Sequence, residues 1–189
     1  MRLLLTTVLA LASLQAHAAL NILACTPEWG ALAKELGGDK ANVSVATTAL
    51  QDPHRVEARP SLIARARNAD LMVCTGAQLE IGWAPLLQTQ SGNPKIQSGQ
   101  PGYFEAASAV SLIEKPGSVD RSLGDVHPAG NPHLHLDPRN VAAVAAALAE
   151  RMASIDAPQA AYYRAREKDF AARWKEATAR WEKQAAPLK

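Results

Sequence analysis

Four histidines lie beyond the first twenty residues of this chain: His54, His127, His133 and His135. None falls on an apolar helix face predicted from the sequence. A neutral imidazole offers a nitrogen lone pair to a divalent ion, and zinc is well suited to it. His54 sits in Asp52-Pro53-His54, inside a polar loop from Gln51 to Arg59. The other three fall in one stretch, GDVHPAGNPHLHLDP, from Gly124 to Pro138. Pro128, Gly130, Pro132 and Pro138 stiffen that stretch, and a ligand held in place before the ion arrives binds it better. In an extended segment His133 and His135 point to one side. Asp52, Glu57, Asp125 and Asp137 are carboxylates that could orient the rings. Plainer roles stand beside these: a solvated loop for a lone histidine, and a helix cap for Asp137 before Pro138.

Other chemistry is poorly represented. GxGxxG, the P-loop, GxSxG and HExxH are all missing, and nothing pairs a nucleophile with an adjacent base. Glu57 follows His54 by three residues, but HRVE lacks a second histidine at helical spacing. The two cysteines, Cys25 and Cys74, exclude a disulfide-dense miniprotein and a multi-cysteine zinc module. Each closes a predicted strand. Two buried thiols are the default expectation, with a disulfide as the alternative, because adjacent parallel strands rarely present good geometry for one. A net charge of +2 and 5% aromatic residues argue against a nucleic-acid partner. With 48% hydrophobic residues the chain can bury a core.

The elements that must position these histidines begin after an address segment. Met1-Arg2, an apolar run from Leu3 to Leu14, and Ala16-His17-Ala18 form a bacterial signal peptide over residues 1–18. The alternatives are a retained anchor and a lipid-attachment triplet at Leu23-Ala24-Cys25, which lies too far behind the apolar run. Export would place the protein in an oxidising compartment outside the cytoplasm. Residues 19–155 then read as one α/β lobe. Strands are predicted at 20–25, 43–48, 69–74 and 109–113, and helices at 27–36, 60–68, 78–88 and from Pro138 to Ile155. The alternation implies a parallel sheet covered by helices on both faces. Asp156 is expected to cap a last helix over 156–189, with Tyr163, Phe170, Trp174, Ala177 and Trp181 along one face.

On these residues the chain resembles the solute-binding proteins of zinc- and manganese-type ABC transporters. DPHRVEARPSLIARARNADLMVCTGAQLE carries that family's Asp-Pro-His, Pro-Ser, Ala-Asp, Gly and Leu-Glu landmarks. NPHLHLDP is similar to its second block, and LNILACTPEWGALAKELGGDKANV to its opening strand, helix and turn. The resemblance implies His54 and His133 as metal ligands. His135 stands where the family often has Trp, so it and His127 are additional candidates. Asp52, Glu57 and Asp137 would support them. It also implies two α/β lobes joined by a long helix, of which this chain carries the first lobe and the connector and lacks the second. The expected function is an extracytoplasmic, periplasmic carrier delivering zinc, or alternatively manganese or iron, to a membrane permease. Such a chain makes or breaks no bond and is a monomer if intact. Two other readings are an adhesion protein on the same scaffold and a zinc hydrolase using His127, His133 and His135 with Glu57 as base.

Overall fold

The computed structural model describes residues 18–118 and 126–188. Residues 1–17, where a signal peptide is expected, and Asp125 lie outside them. Four strands form one parallel sheet: β1 (Leu20–Ala24), β2 (Ala41–Val45), β3 (Leu71–Cys74) and β4 (Tyr103–Glu105), in the order β2-β1-β3-β4. The first crossover carries α1 (Pro27–Gly37) and the second carries α2 (Pro60–Arg67). The first crossover leaves β1 for one edge, and the second returns across β1 to its other side. Right-handed connections then put α1 and α2 on opposite faces of the sheet.

The two faces are visible in the core. Along β1, Leu20, Ile22 and Ala24 join one buried cluster, whereas Leu23 and Cys25 join the other. This is the period-two alternation of a strand, here apolar on both sides because both faces are covered. The first cluster is completed by Trp29, Leu32 and Leu36 of α1 and by Val144, Leu148 and Met152 of α4 (Pro138–Ile155). Leu62 and Ala66 of α2 and Ala84 and Leu87 of α3 (Ala84–Ser91) complete the second. Gly30 lets α1 approach β2 closely: a Cβ there would stand 2.5 Å from Val45 Cγ2.

Several boundaries differ from those expected. β2 runs over 41–45 rather than 43–48, because its register is set by the five residues of β1, Leu20 against Ala41 through Ala24 against Val45. α3 begins at Ala84 rather than Gln78. Ala77 and Gln78 have φ of 50° and 68°, outside the helical region, and Pro85 fixes the first helical turn. The fourth strand is Tyr103–Glu105 instead of 109–113, which continues from a 3₁₀ turn (Ala106–Ala109).

The last helix, α5 (Ala160–Ala185), is about 39 Å long at ~1.5 Å per residue. Its first half is docked. Tyr163 and Phe170 are buried, Arg166 donates to the Glu35 carbonyl, and the Trp174 indole donates to the Pro138 carbonyl at 2.8 Å. The predicted stripe continues past the docked half, with Trp181 edge-on to Trp174 but 46% exposed. Asp156 does not cap with its side chain; its carboxylate instead accepts from the Tyr163 hydroxyl at 2.7 Å.

Cys25 and Cys74 are joined as a disulfide, which corrects the expectation of two thiols. The cause is the sheet order. β1 and β3 are direct neighbours, both sulfurs point to the same face, and the Cα atoms are 4.8 Å apart, inside the usual bridging range. Cys25 is also the cysteine of the Leu23-Ala24-Cys25 triplet. It is fully buried behind β1, the strand that processing at that triplet would remove.

Candidate metal centre

The loops leaving the carboxyl ends of β2 and β4 meet at one cavity of about 340 Å³. This is the end of an open α/β sheet at which ligands bind. His54, His127 and His133 all line it, together with Glu114 and Asn131.

His54 is fixed from two sides. The Asp52 carboxylate accepts from the His54 amide at 2.9 Å and lies 2.8 Å from ring Nδ1. Those two bonds hold the Asp52 carboxyl below the usual carboxylate range. A carboxylate can only accept here, so Nδ1 carries the hydrogen and Nε2 keeps its lone pair. The loop backbone is tied down by the Trp83 indole, which donates to the Pro53 carbonyl at 2.8 Å. Ring Nε2 of His54 faces Nε2 of His127 at 3.2 Å, with the ring centroids 5.3 Å apart.

The opposite wall is built on Asn131. Its amide donates to the Ile113 carbonyl and its side-chain nitrogen to Glu114 at 2.7 Å, while its side-chain oxygen accepts from the His133 amide at 2.8 Å. Gly130 has φ of 119°, and a Cβ there would come 2.7 Å from the Ile113 carbonyl oxygen. Only glycine fits this close approach without strain. His133 completes the lining without closing on the other two rings. Among the described residues, the trio of His, Cys, Asp or Glu side chains with ligand atoms mutually within 4.8 Å is Cys25, Cys74 and Glu80. Two members of that trio are bonded to each other as the disulfide.

The remaining candidates go elsewhere. His135 lines a different cavity between α1 and α5, edge-on to Trp29 and 3.7 Å from a Glu28 oxygen. Asp137 caps α4 by accepting from the Arg139 amide at 2.8 Å and pairs with the Arg139 guanidinium at 2.7 Å. Those bonds from Arg139 hold its carboxyl below the usual range. The cap is thus its observed role. Glu57 is exposed and outside the lining of the histidine cavity. The trio His127, His133 and His135 with Glu57 as base is therefore not assembled in this fold.

Two residues of the site carried no sequence signal. Glu114 stands in a turn-rich segment without a motif, and Asn131 opens the NPHLHLDP block without being singled out there as a site residue; only the fold brings both to the imidazoles. Glu80, the acidic residue of the Leu-Glu landmark, has a definite structural role. Its buried carboxylate accepts from the Thr75 and Gly76 amides at 2.8 and 3.0 Å. Burial pushes its pKa up, against the pull of those amides. It clamps the turn after β3 that leads to Trp83, and through it to the His54 loop. Replacing Glu80 with Ala orphans two buried amides, at ~1–3 kcal/mol each. The expected loss is roughly 2–6 kcal/mol of unfolding free energy, read from a denaturant titration.

With this geometry in view, similarity to known proteins decides the family. The family model for ZnuA, zinc-uptake complex component A periplasmic, matches residues 22–189. The chain belongs to the ZnuA family. The metal ABC transporter substrate-binding lipoprotein ScbA of Streptococcus cristatus is 26% identical over 137 residues, covering 72% of this chain and 42% of that protein. The manganese ABC transporter substrate-binding lipoprotein scaA of Streptococcus gordonii is 25% identical over 151 residues, covering 80% and 46%. The chain thus spans less than half the length of these relatives. A zinc-bound ZnuA deletion mutant superposes with a TM-score of 0.75 at 24% identity, covering 89% of this chain and 59% of that one. A manganese-bound periplasmic metal-binding protein from Candidatus Liberibacter asiaticus gives 0.65 at 17%, covering 88% and 55%. At these identities the superpositions establish the shared fold, a ZnuA-type lobe followed by a long helix.

Proposed function

We propose that this ZnuA-family chain is the metal-binding lobe and connecting helix of an extracytoplasmic carrier for a divalent transition metal. Residues 1–18 direct export, 19–155 form the lobe, and 156–189 form the connector. The lobe surface docks on the permease of an ABC transporter, and the cargo leaves chemically unchanged. The observation that carries this reading is His54. Its ring is oriented by Asp52, and its Nε2 faces a second imidazole across 3.2 Å in a cavity that His133 also lines. The carboxylate–histidine arrangement is the one that orients metal-bound imidazoles in general.

The donor set favours zinc over manganese. Imidazole nitrogen suits zinc, manganese prefers oxygen, and zinc lies well above manganese in intrinsic affinity for such ligands. Relatives named for manganese make the comparison a direct test. Calorimetric titration of the chain with each ion should give the tighter site for zinc. Equal or tighter binding of manganese would refute the choice of ion. Replacing Asp52 with Asn exchanges the acceptor for an amide and should weaken zinc binding by roughly 10–100-fold, the usual cost of losing an orienting partner. An unchanged affinity in the same titration would remove Asp52 from the site.

A further inference from the structure

Family resemblance pairs His54 with His133, but the fold sets a different imidazole against it. Nε2 of His127 is 3.2 Å from Nε2 of His54. Two nitrogens bound to one tetrahedral zinc at ~2.0–2.1 Å stand about 3.3 Å apart. The pair therefore already has the spacing of two ligands on one ion. In the metal-free chain the same spacing serves a hydrogen bond between opposite tautomers: His54 holds its hydrogen on Nδ1 toward Asp52, so His127 donates from Nε2. For His127 to ligate through Nε2, that hydrogen leaves Nε2 as the ion arrives, to solvent or by exchange to the other ring nitrogen.

The backbone around His127 is built to keep it there. The Gly130 amide donates to the His127 carbonyl at 3.0 Å, closing a turn with Pro128 inside it. The next residue, Asn131, is pinned to Ile113 and Glu114, the segment that follows β4. The segment that follows His127 is thereby tied to residues 113 and 114.

We infer that His127 is a direct metal ligand of this chain, so that His54 and His127 form a two-imidazole seat, in a cavity that His133 also lines, within a single lobe. This rests on the reading of the cavity as a metal site, and it adds what that reading lacks: a ligand set independent of any second lobe. The lobe then captures the ion by itself.

The test uses the full chain with zinc alone as the probe. Calorimetry on the parent and on His54→Ala, His127→Ala, His133→Ala and His135→Ala should show at least a 10-fold loss for the first three and less than a 2-fold change for His135→Ala. Long-range ¹⁵N NMR of the zinc-loaded parent should show metal-shifted Nε2 resonances for both His54 and His127. That measurement decides the matter even where an alanine variant fails to fold. Loss of affinity in His54→Ala and His133→Ala, with His127→Ala within 2-fold of the parent and an unshifted His127 Nε2, would overturn this inference and leave the metal site standing. A parent chain that binds no zinc would overturn both.

Discussion

Replacing His54 with alanine is expected to lower the zinc affinity of the chain by at least about 100-fold. The size follows from its place in the site. Losing a partner that merely orients a ligand costs ~10–100-fold, so losing the oriented ligand itself costs no less than the upper end. His54 is also the residue on which other parts of the site converge. Asp52 fixes its ring, Trp83 fixes its loop, and His127 faces its free nitrogen. The substitution leaves the fold intact, because His54 lies in a loop and belongs to neither buried cluster. Affinity should therefore fall without a change in unfolding midpoint. A variant that keeps the parent's affinity would remove this histidine from the site.

Breaking the Cys25–Cys74 bond is expected to have the largest effect on stability. The two residues are 49 apart in sequence. Closing a loop of that length removes about 4 kcal/mol of chain entropy from the unfolded state at 25 °C. The folded state gives up little in return, since both side chains remain buried against Leu23, Met72 and Leu87 whether bonded or not. Replacing both cysteines with alanine, or reducing them, should lower the unfolding free energy by about 4 kcal/mol. For a chain of this size that corresponds to roughly 8–16 °C in Tm. An unchanged midpoint, with a thiol assay showing two free cysteines in the untreated chain, would contradict the assignment. The bond joins the two central strands at the edge from which the site loops leave, so its loss should also loosen the metal cavity.

Much of this architecture was legible in the residues. The apolar run of β1, Pro27 at the start of α1, and Asp137-Pro138 at the start of α4 are strong local signals, and all three elements form where they were expected. Asp52-Pro53-His54 also announced itself, because a carboxylate two residues from an imidazole can reach its Nδ1. What was not legible is non-local. β4 is three residues long at a sheet edge and carries no periodicity to detect. The start of α3 was hidden by two non-glycine residues in the left-handed region. The cysteine pairing depended on β1 and β3 being adjacent, which is a property of strand order rather than of either segment. The site shows the same division. His133 and His135 look equivalent in NPHLHLDP, yet His133 precedes the 3₁₀ turn Leu134–Leu136 and His135 lies within it, and the two rings line different cavities. His54 and His127 are 73 residues apart, and only the folded loops bring them within 3.2 Å.

The central claim is that a divalent ion is held by imidazoles at the carboxyl edge of this sheet. X-ray absorption on the zinc-loaded full chain tests it most directly. The scattering should contain at least two imidazole rings, with first-shell nitrogens at ~2.0–2.1 Å. A shell of oxygen or sulfur atoms with no imidazole scattering would contradict the account.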